Sequence, residues 1–188
     1  LLPLLALVQT AQARVMEARI ERVTTAVATL QGVDVRLDWP ANAEQGRLVL
    51  TARQVAAPDL GYRFERLTWE CPLQRGKAGQ GWVCEGEIRS AGRNPLKLSV
   101  DLATASTDAV LSQGEASLAL HRNAAAPDLT RIDLVRVPIA WSQALLAQAW
   151  PTANLKNGRL AGSLGIESAD TGPLRVAGRL AVTQLALD

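Results

Sequence analysis

The stretch VDVRLDW, residues 33 to 39, alternates strictly between apolar and charged side chains. Successive side chains of a β-strand point to opposite faces, so this pattern predicts a strand with one apolar and one charged face. The stretch LKLSVDL, residues 96 to 102, repeats the pattern. Less regular alternation occurs at 47–55, 62–71, 82–89, 115–121 and 130–137, with turn-forming segments between the runs. We therefore predict a mainly β protein, an antiparallel meander sheet whose apolar face forms an open groove or half of a sandwich.

Two segments depart from this pattern. Residues 142–150 predict one short helix, because Ser142 is suited to an N-cap position and Pro151 ends the run. The segment 15–31 is ambiguous, since its apolar residues fit a helical spacing while many of its residues are β-branched. We expect a strand there.

The composition describes a single globular domain. The chain has 188 residues, of which 48% are hydrophobic, and 20 basic residues balance 18 acidic ones for a net charge of +2. Such a chain can bury a substantial core, and its basic residues are spread along the sequence instead of forming a patch. We expect one β-rich domain over residues 14–188 and no nucleic-acid partner.

The first residues indicate export. The stretch LLPLLALVQTAQA, residues 1–13, combines an apolar run with Ala11-Gln12-Ala13, a small-residue cleavage site typical of a secretory signal peptide. The sequence begins without Met, so we expect these residues to be the remnant of such a signal in a piece of a longer chain. A membrane anchor is the alternative. The predicted location is therefore periplasmic, with an inner-membrane-anchored protein as the alternative.

The two cysteines of the chain, Cys71 and Cys84, lie in WECPLQRGKAGQGWVCEG, residues 69–86. In an oxidising compartment two cysteines across a short loop favour a disulfide. If Cys71 lies opposite Cys84 in a hairpin, Trp69 lies opposite Gly86 and all four residues share the apolar face. A metal site would need more ligands than the single histidine, His121, can supply, and a redox centre usually has the shorter C-x-x-C spacing. A free or regulatory cysteine pair remains the alternative.

Motifs for catalysis are absent from the sequence. It contains no G-x-S-x-G nucleophile motif and no glycine-rich phosphate loop, and no pair of carboxylates stands out from the others. His121 lies in a strand-like run with no visible partner, so a strand residue is favoured over a catalytic base. We expect no enzyme activity and no cofactor, with a glycan-active enzyme as the least favoured class.

The C-terminal stretch predicts a second hairpin. Placing Ile166 opposite Leu174 across the loop ESADTGP brings Gly162 opposite Gly178. Leu160 then lies opposite Leu180, and the hairpin gains one continuous apolar face.

Residues 141–188 carry a family resemblance. Leu155, Gly158, Leu160, Gly162 and Leu164 follow a glycine-punctuated pattern of strand entry that resembles AsmA-like envelope proteins of Gram-negative bacteria, particularly the YdbH and TamB group. The resemblance implies a long, strongly curved antiparallel sheet with a hydrophobic groove for lipids. It also implies a membrane-proximal role in phospholipid transport between membranes or in outer-membrane biogenesis.

The implied ligand is a phospholipid or another molecule with acyl chains. The pattern of strands also resembles that of the inner-membrane N component of type II secretion systems. The alternative function is therefore an envelope scaffold that binds protein partners by its sheet edges. The apolar face predicted to contact lipid includes Leu67, Trp69, Ile88, Leu160, Leu164, Val176 and Leu180.

Overall fold

In the computed structural model of the chain, the described residues form one antiparallel β-sheet of eleven strands. The structure describes residues 14–24, 28–57, 62–76, 80–141, 155–167 and 175–187. The strands are β1 (Arg14–Thr24), β2 (Thr29–Trp39), β3 (Gln45–Ala57), β4 (Tyr62–Arg75), β5 (Trp82–Arg89), β6 (Leu96–Leu102), β7 (Ser106–Gln113), β8 (Ala116–Asn123), β9 (Ala126–Pro138), β10 (Leu155–Glu167) and β11 (Arg175–Leu187).

The sheet is an open meander. Each described strand pairs with its neighbours in the sequence, and among these strands β1 and β11 form the two edges. Short connections make this order possible: Gln113 pairs with Ala116 across a two-residue turn in which Gly114 has φ +57°. The predicted fold class, a mainly β antiparallel meander, is confirmed.

The strand register gathers apolar side chains on one side of the sheet. Val33 pairs with Ala52, and Ala52 pairs in turn with Leu67, so that apolar residues of successive strands lie side by side. We call this side the apolar face and the other side the polar face. One member of the apolar face from each strand, in order, is Ile20, Val35, Leu50, Trp69, Ile88, Leu98, Leu111, Leu118, Leu134, Leu164 and Leu180.

The most compact packing lies where β9 leaves the sheet. Leu134, Val137, Ile139 and Leu160 form a buried cluster, and Ile139 begins a short 3-10 turn, Ile139–Trp141, that contacts β10. In the described ranges, this turn is the one helical or strand element that is not part of the sheet. No second layer of described structure therefore covers the apolar face.

Two expectations on secondary structure have different outcomes, and one strand was not expected. The segment 15–31 forms strand in its described parts, since β1 ends at Thr24 and β2 begins at Thr29. Strand β7 was not predicted at all, because its sequence STDAVLSQ places small and polar residues at the positions that the alternation needs. The short helix predicted near 142–150 lies outside the described residues.

Both predicted hairpin registers are wrong by two residues. Trp69 pairs with Ile88, not with Gly86, and Leu73 pairs with Cys84. In the C-terminal hairpin Gly162 pairs with Leu180, not with Gly178. A shift of two residues returns each side chain to the same face, so hydrophobic alternation alone could not distinguish the two registers.

Candidate functional site

The disulfide lies within the apolar face. Cys71 and Cys84 are joined, with their Cα atoms 5.5 Å apart, and both residues are buried. The pair is diagonal, since Cys84 lies opposite Leu73. Gly86 lies so close to Cys71 and to the carbonyl of Glu70 that no side chain fits there. The predicted disulfide is therefore present, in a register shifted from the predicted one.

Trp69 lies at the centre of the first half of the apolar face. It pairs with Leu50 on one side and Ile88 on the other. Its indole Nε1 is buried and has no hydrogen-bond partner in the described part of the chain. A buried donor without a partner costs free energy, so packing of the ring against its neighbours must compensate for it.

Aromatic rings and a cation occupy one end of the apolar face. Trp39 and Trp82 contact each other edge to face with ring centroids 5.6 Å apart, and the Arg75 guanidinium lies 3.9 Å from the centre of the Trp82 ring. Trp39 also donates a hydrogen bond from Nε1 to the carbonyl of Ala43, at 3.2 Å. Gly46 leaves room for the Trp39 ring. These contacts fix the rings at the ends of β2 and β5 and place a positive charge at the border of the face.

The predicted lipid-contacting residues form two groups on the same face. Leu67, Trp69 and Ile88 lie on β4 and β5, and Leu160, Leu164, Val176 and Leu180 lie on β10 and β11. Four strands, β6 to β9, separate the groups. The site predicted from the sequence did not include the leucines of β6 to β9, which connect the two groups. The alternation at 96–102 could have identified Leu98, whereas the sequence around Leu111 gave no comparable signal.

The polar face carries rows of ion pairs between neighbouring strands. Arg19 contacts Asp34 at 2.6 Å, Arg36 contacts Glu17 at 3.1 Å, and Arg47 contacts Glu70 at 2.6 Å. All of these side chains are exposed to solvent. Exposed pairs add little stability individually, so their main effect is on which strands and registers fit together.

His121 belongs to this polar face. Its Nδ1 contacts Asp108, and its Nε2 lies 3.7 Å from an oxygen of Asp133. Hydrogen bonds from Ser163 and from Arg131 lower the pKa of Asp133. The side chains of His121 and Asp108 are exposed. The cluster is a solvated network of polar and charged side chains, and it favours the interpretation of His121 as a strand residue.

Two pairs of carboxylates in the described strands lie opposite each other: Asp101 and Asp108 across β6 and β7, and Glu70 and Glu87 across β4 and β5. Glu70 pairs with Glu87, but each is bound to an arginine: Arg47 contacts Glu70 at 2.6 Å and Arg89 contacts Glu87 at 2.8 Å. Hydrolysis of a glycoside needs one carboxyl that keeps a proton, and the Arg47 hydrogen bond instead lowers the pKa of Glu70. Over the described ranges, no group of three or more His, Cys, Asp or Glu side chains is placed to hold a metal ion.

The Arg47–Glu70 pair makes stability depend on pH. Because the pKa of Glu70 is lowered from 4.5 in the folded chain, the stabilisation is present above pH 4.5 and is lost as the pH falls through the lowered value. We expect Arg47→Gln to remove this part of the acid sensitivity. The unfolding temperature of the variant, followed by circular dichroism from pH 6 to 3, should fall slightly less than that of the unmodified chain.

The control for this measurement is Arg93→Gln. Arg93 lies over the ring of Phe64, with its guanidinium carbon 5.7 Å from the ring centre. This change should leave the pH dependence as it is. If unfolding temperature plotted against pH runs parallel for Arg47→Gln and the unmodified chain, the Arg47–Glu70 pair is not a source of the acid sensitivity.

Within the described ranges, we find no helix with the length and apolarity that a membrane-spanning segment requires. Comparison with known proteins finds no matching family model, no similar curated protein and no similar solved structure. The resemblance to AsmA-like proteins therefore stays a prediction from the sequence.

Proposed function

We propose that this chain is a non-enzymatic periplasmic protein that handles lipids by binding acyl chains on its apolar face. The observation that carries the proposal is the absence of any described layer over that face. An apolar sheet face needs a cover, because leaving it in water forgoes the hydrophobic free energy of burial. Acyl chains have the chemistry to supply that cover.

The size of the face supports the proposal. Ten spacings of about 4.8 Å make a sheet of eleven strands roughly 48 Å wide, and a strand of eight residues is about 26 Å long. The product, roughly 1,200 Å², is the area of the whole face, which includes buried side chains such as Val33 and Ala52 as well as exposed ones. Side chains at its borders are strongly exposed: Met16 is 64% exposed, Leu102 47% and Val176 56%.

The composition of the face fits a lipid better than a polar ligand. Its members are mainly leucine, valine and isoleucine, which contact acyl chains without directional bonds. The charged side chains of the ion-pair rows lie on the opposite face. A lipid bound in this way would lie with its acyl chains along or across the strands, and a headgroup could remain in water at the sheet border.

Lipid capture from vesicles tests the proposal. The chain would be incubated with vesicles of phosphatidylethanolamine and phosphatidylglycerol, reisolated, and examined for bound lipid by native mass spectrometry. We expect bound phospholipid on the unmodified chain and about fivefold less on Leu180→Arg, since a lost leucine contact weakens binding by about 1 kcal/mol.

The matched control is Val135→Arg. Val135 is 50% exposed and pairs with Ser117 on the polar face, whereas Leu180 is 46% exposed on the apolar face. The two changes therefore add the same charge at similar exposure on opposite sides of the sheet. Lipid absent from the unmodified chain, or lost equally in both variants, would overturn the proposal.

The alternative function is an envelope scaffold that recruits protein partners at its sheet edges. One observation favours it: in the described part of the chain, β1 and β11 each pair with one neighbour only. An edge strand presents a row of free backbone donors and acceptors to a partner strand. Recovery of protein partners from envelope extracts without any bound lipid would favour the scaffold over the lipid carrier.

A further inference from the structure

We propose that β1 pairs with β1 of a second copy of this chain, so that the two copies form one continuous sheet. The proposal does not depend on lipid binding. Proteins usually protect long edge strands with proline, with bulges or with charges that point toward the apolar side. Strand β1 contains no proline, and Glu17, Arg19 and Glu21 fall on its polar face; the charges that point toward the apolar side are those of Arg14 and Arg22, near its two ends.

A two-fold rotation about the normal to the sheet brings two β1 strands together antiparallel and keeps both apolar faces on the same side. The sequence fits one register of this arrangement. With Ala18 on the two-fold axis, Ala18 lies opposite the second copy's Ala18. Met16 then lies opposite the second copy's Ile20, and Glu17 lies opposite the second copy's Arg19. The interface is isologous, so each of the last two pairs occurs twice.

This register continues rows that already exist within one copy. Arg36 contacts Glu17 at 3.1 Å, and Arg19 contacts Asp34 at 2.6 Å. Across the new interface the polar face would read Arg36, Glu17, then the second copy's Arg19 and Asp34. The charges alternate without a like-charged neighbour, which favours pairing of the strands.

The apolar face continues in the same way. Met16 pairs with Leu37 within one copy, and Ile20 pairs with Val33. The combined row would read Leu37, Met16, then the second copy's Ile20 and Val33. Met16 is 64% exposed and Ile20 41% exposed, so pairing would bury apolar surface that is now in contact with water.

Neighbouring registers fit less well. A shift by two residues in one direction places Glu17 opposite the second copy's Glu17, and a shift in the other direction places Arg19 opposite Arg19. Both changes replace opposite charges by like charges, which is unfavourable. The favoured register has two costs. Arg14 lies opposite the second copy's Arg22, and Glu21 lies opposite the second copy's Val15 and gains no ion pair.

The other edge does not show this self-complementarity. The charged residues of β11 are Arg175 and Arg179, with no acidic residue between Arg175 and Leu187. No antiparallel pairing of two β11 strands can form an ion pair between them. The charge pattern therefore assigns self-pairing to β1.

Charge reversal tests the proposal with the 188-residue chain. We expect sedimentation equilibrium to show a concentration-dependent dimer of the unmodified chain. Glu17→Arg and Arg19→Glu should each weaken the dimer by about tenfold, because each creates two like-charged contacts across the interface. The matched control, Arg179→Glu on β11, should dimerise as the unmodified chain does.

Mixing the variants separates pairing from a loss of local structure. Each reversal also places a like charge beside Arg36 or Asp34 within its own copy, and that effect persists in a mixture. An equimolar mixture of Glu17→Arg and Arg19→Glu should nevertheless recover the dimer, since the reversed charges are complementary between the two copies. Recovery would support the register, and circular dichroism would show that each variant remains a β-sheet.

Three results would overturn the proposal. The first is that the unmodified chain remains monomeric, whether or not β1 binds a different protein. The dimer could be insensitive to both reversals. The mixture could also fail to recover the dimer while both variants keep their sheet structure.

Discussion

Replacing both cysteines, in Cys71→Ser with Cys84→Ser, is expected to lower the free energy of unfolding by about 3 kcal/mol. The disulfide closes a loop with a sequence separation of 13, and opening this loop increases the conformational freedom of the unfolded chain. Cys71 and Cys84 are 1% and 4% exposed, so the serine hydroxyls would also be buried in an apolar environment. Both effects act in the same direction.

Urea unfolding followed by circular dichroism measures this loss. The internal control is a reductant, which should destabilise the unmodified chain to a similar extent and leave the double-serine variant unchanged. Lipid capture should persist below the unfolding transition, because the cysteines contribute stability and no chemistry. Equal midpoints for the two chains would show that the bond adds nothing to stability.

Gly86→Ala is the second change with a large expected effect. A Cβ atom at position 86 would collide with the carbonyl oxygen of Glu70 and would come within 2.8 Å of the Cys71 Cβ. The colliding atoms belong to the backbone of β4 and to a residue of the disulfide, which cannot turn aside as a flexible side chain can. We expect a loss of about 3 kcal/mol, at the upper end of the range for overpacked sites.

Gly165→Ala is the matched control for this substitution. Gly165 also lies inside a strand, but a Cβ there would meet its nearest neighbours at 3.7 and 3.8 Å, which is ordinary contact. Alanine reduces the freedom of the unfolded chain, so this change should be neutral or slightly stabilising. A Gly86→Ala variant as stable as Gly165→Ala would mean that β4 and β5 are farther apart than the structure shows.

The faces of the strands could be predicted from the sequence, whereas the register could not. Alternation with period two assigns Trp69 and Ile88 to one face whichever partners they have. The register depends instead on where the strands approach most closely. Gly86 permits that approach at Glu70 and Cys71, and a contact between two backbones leaves no trace in the hydrophobic pattern.

Strands without strong alternation were the other difficulty. Strand β7 is recognisable as a strand because β6 and β8 pair with it on either side, and its small residue Ala109 lies between Val100 and Leu120. Strand β1 was ambiguous for a different reason: its apolar residues also fit a helical spacing, and pairing with β2 decides between helix and strand. Neighbours in space determine such segments more than their own residues do.

Only part of the candidate site could be predicted from the sequence. The outer groups of the apolar face follow from the alternation at Leu67 and Leu164, while the connection between them requires the order of β6 to β9. The ion pairs of the polar face were not predictable, because Arg47 and Glu70 become neighbours only in the observed register. Their effect on the pKa of Glu70 is therefore a property of the folded sheet.

The strict neighbour-to-neighbour order of the strands has a consequence for cooperativity. Each described strand is stabilised almost entirely by the strands before and after it in the chain, so the sheet behaves like a one-dimensional array. These contacts join consecutive strands, so the sheet can form progressively, one hairpin after another. Among the described strands, loss of structure would spread from one strand to the next, and the disulfide between β4 and β5 would resist its progress.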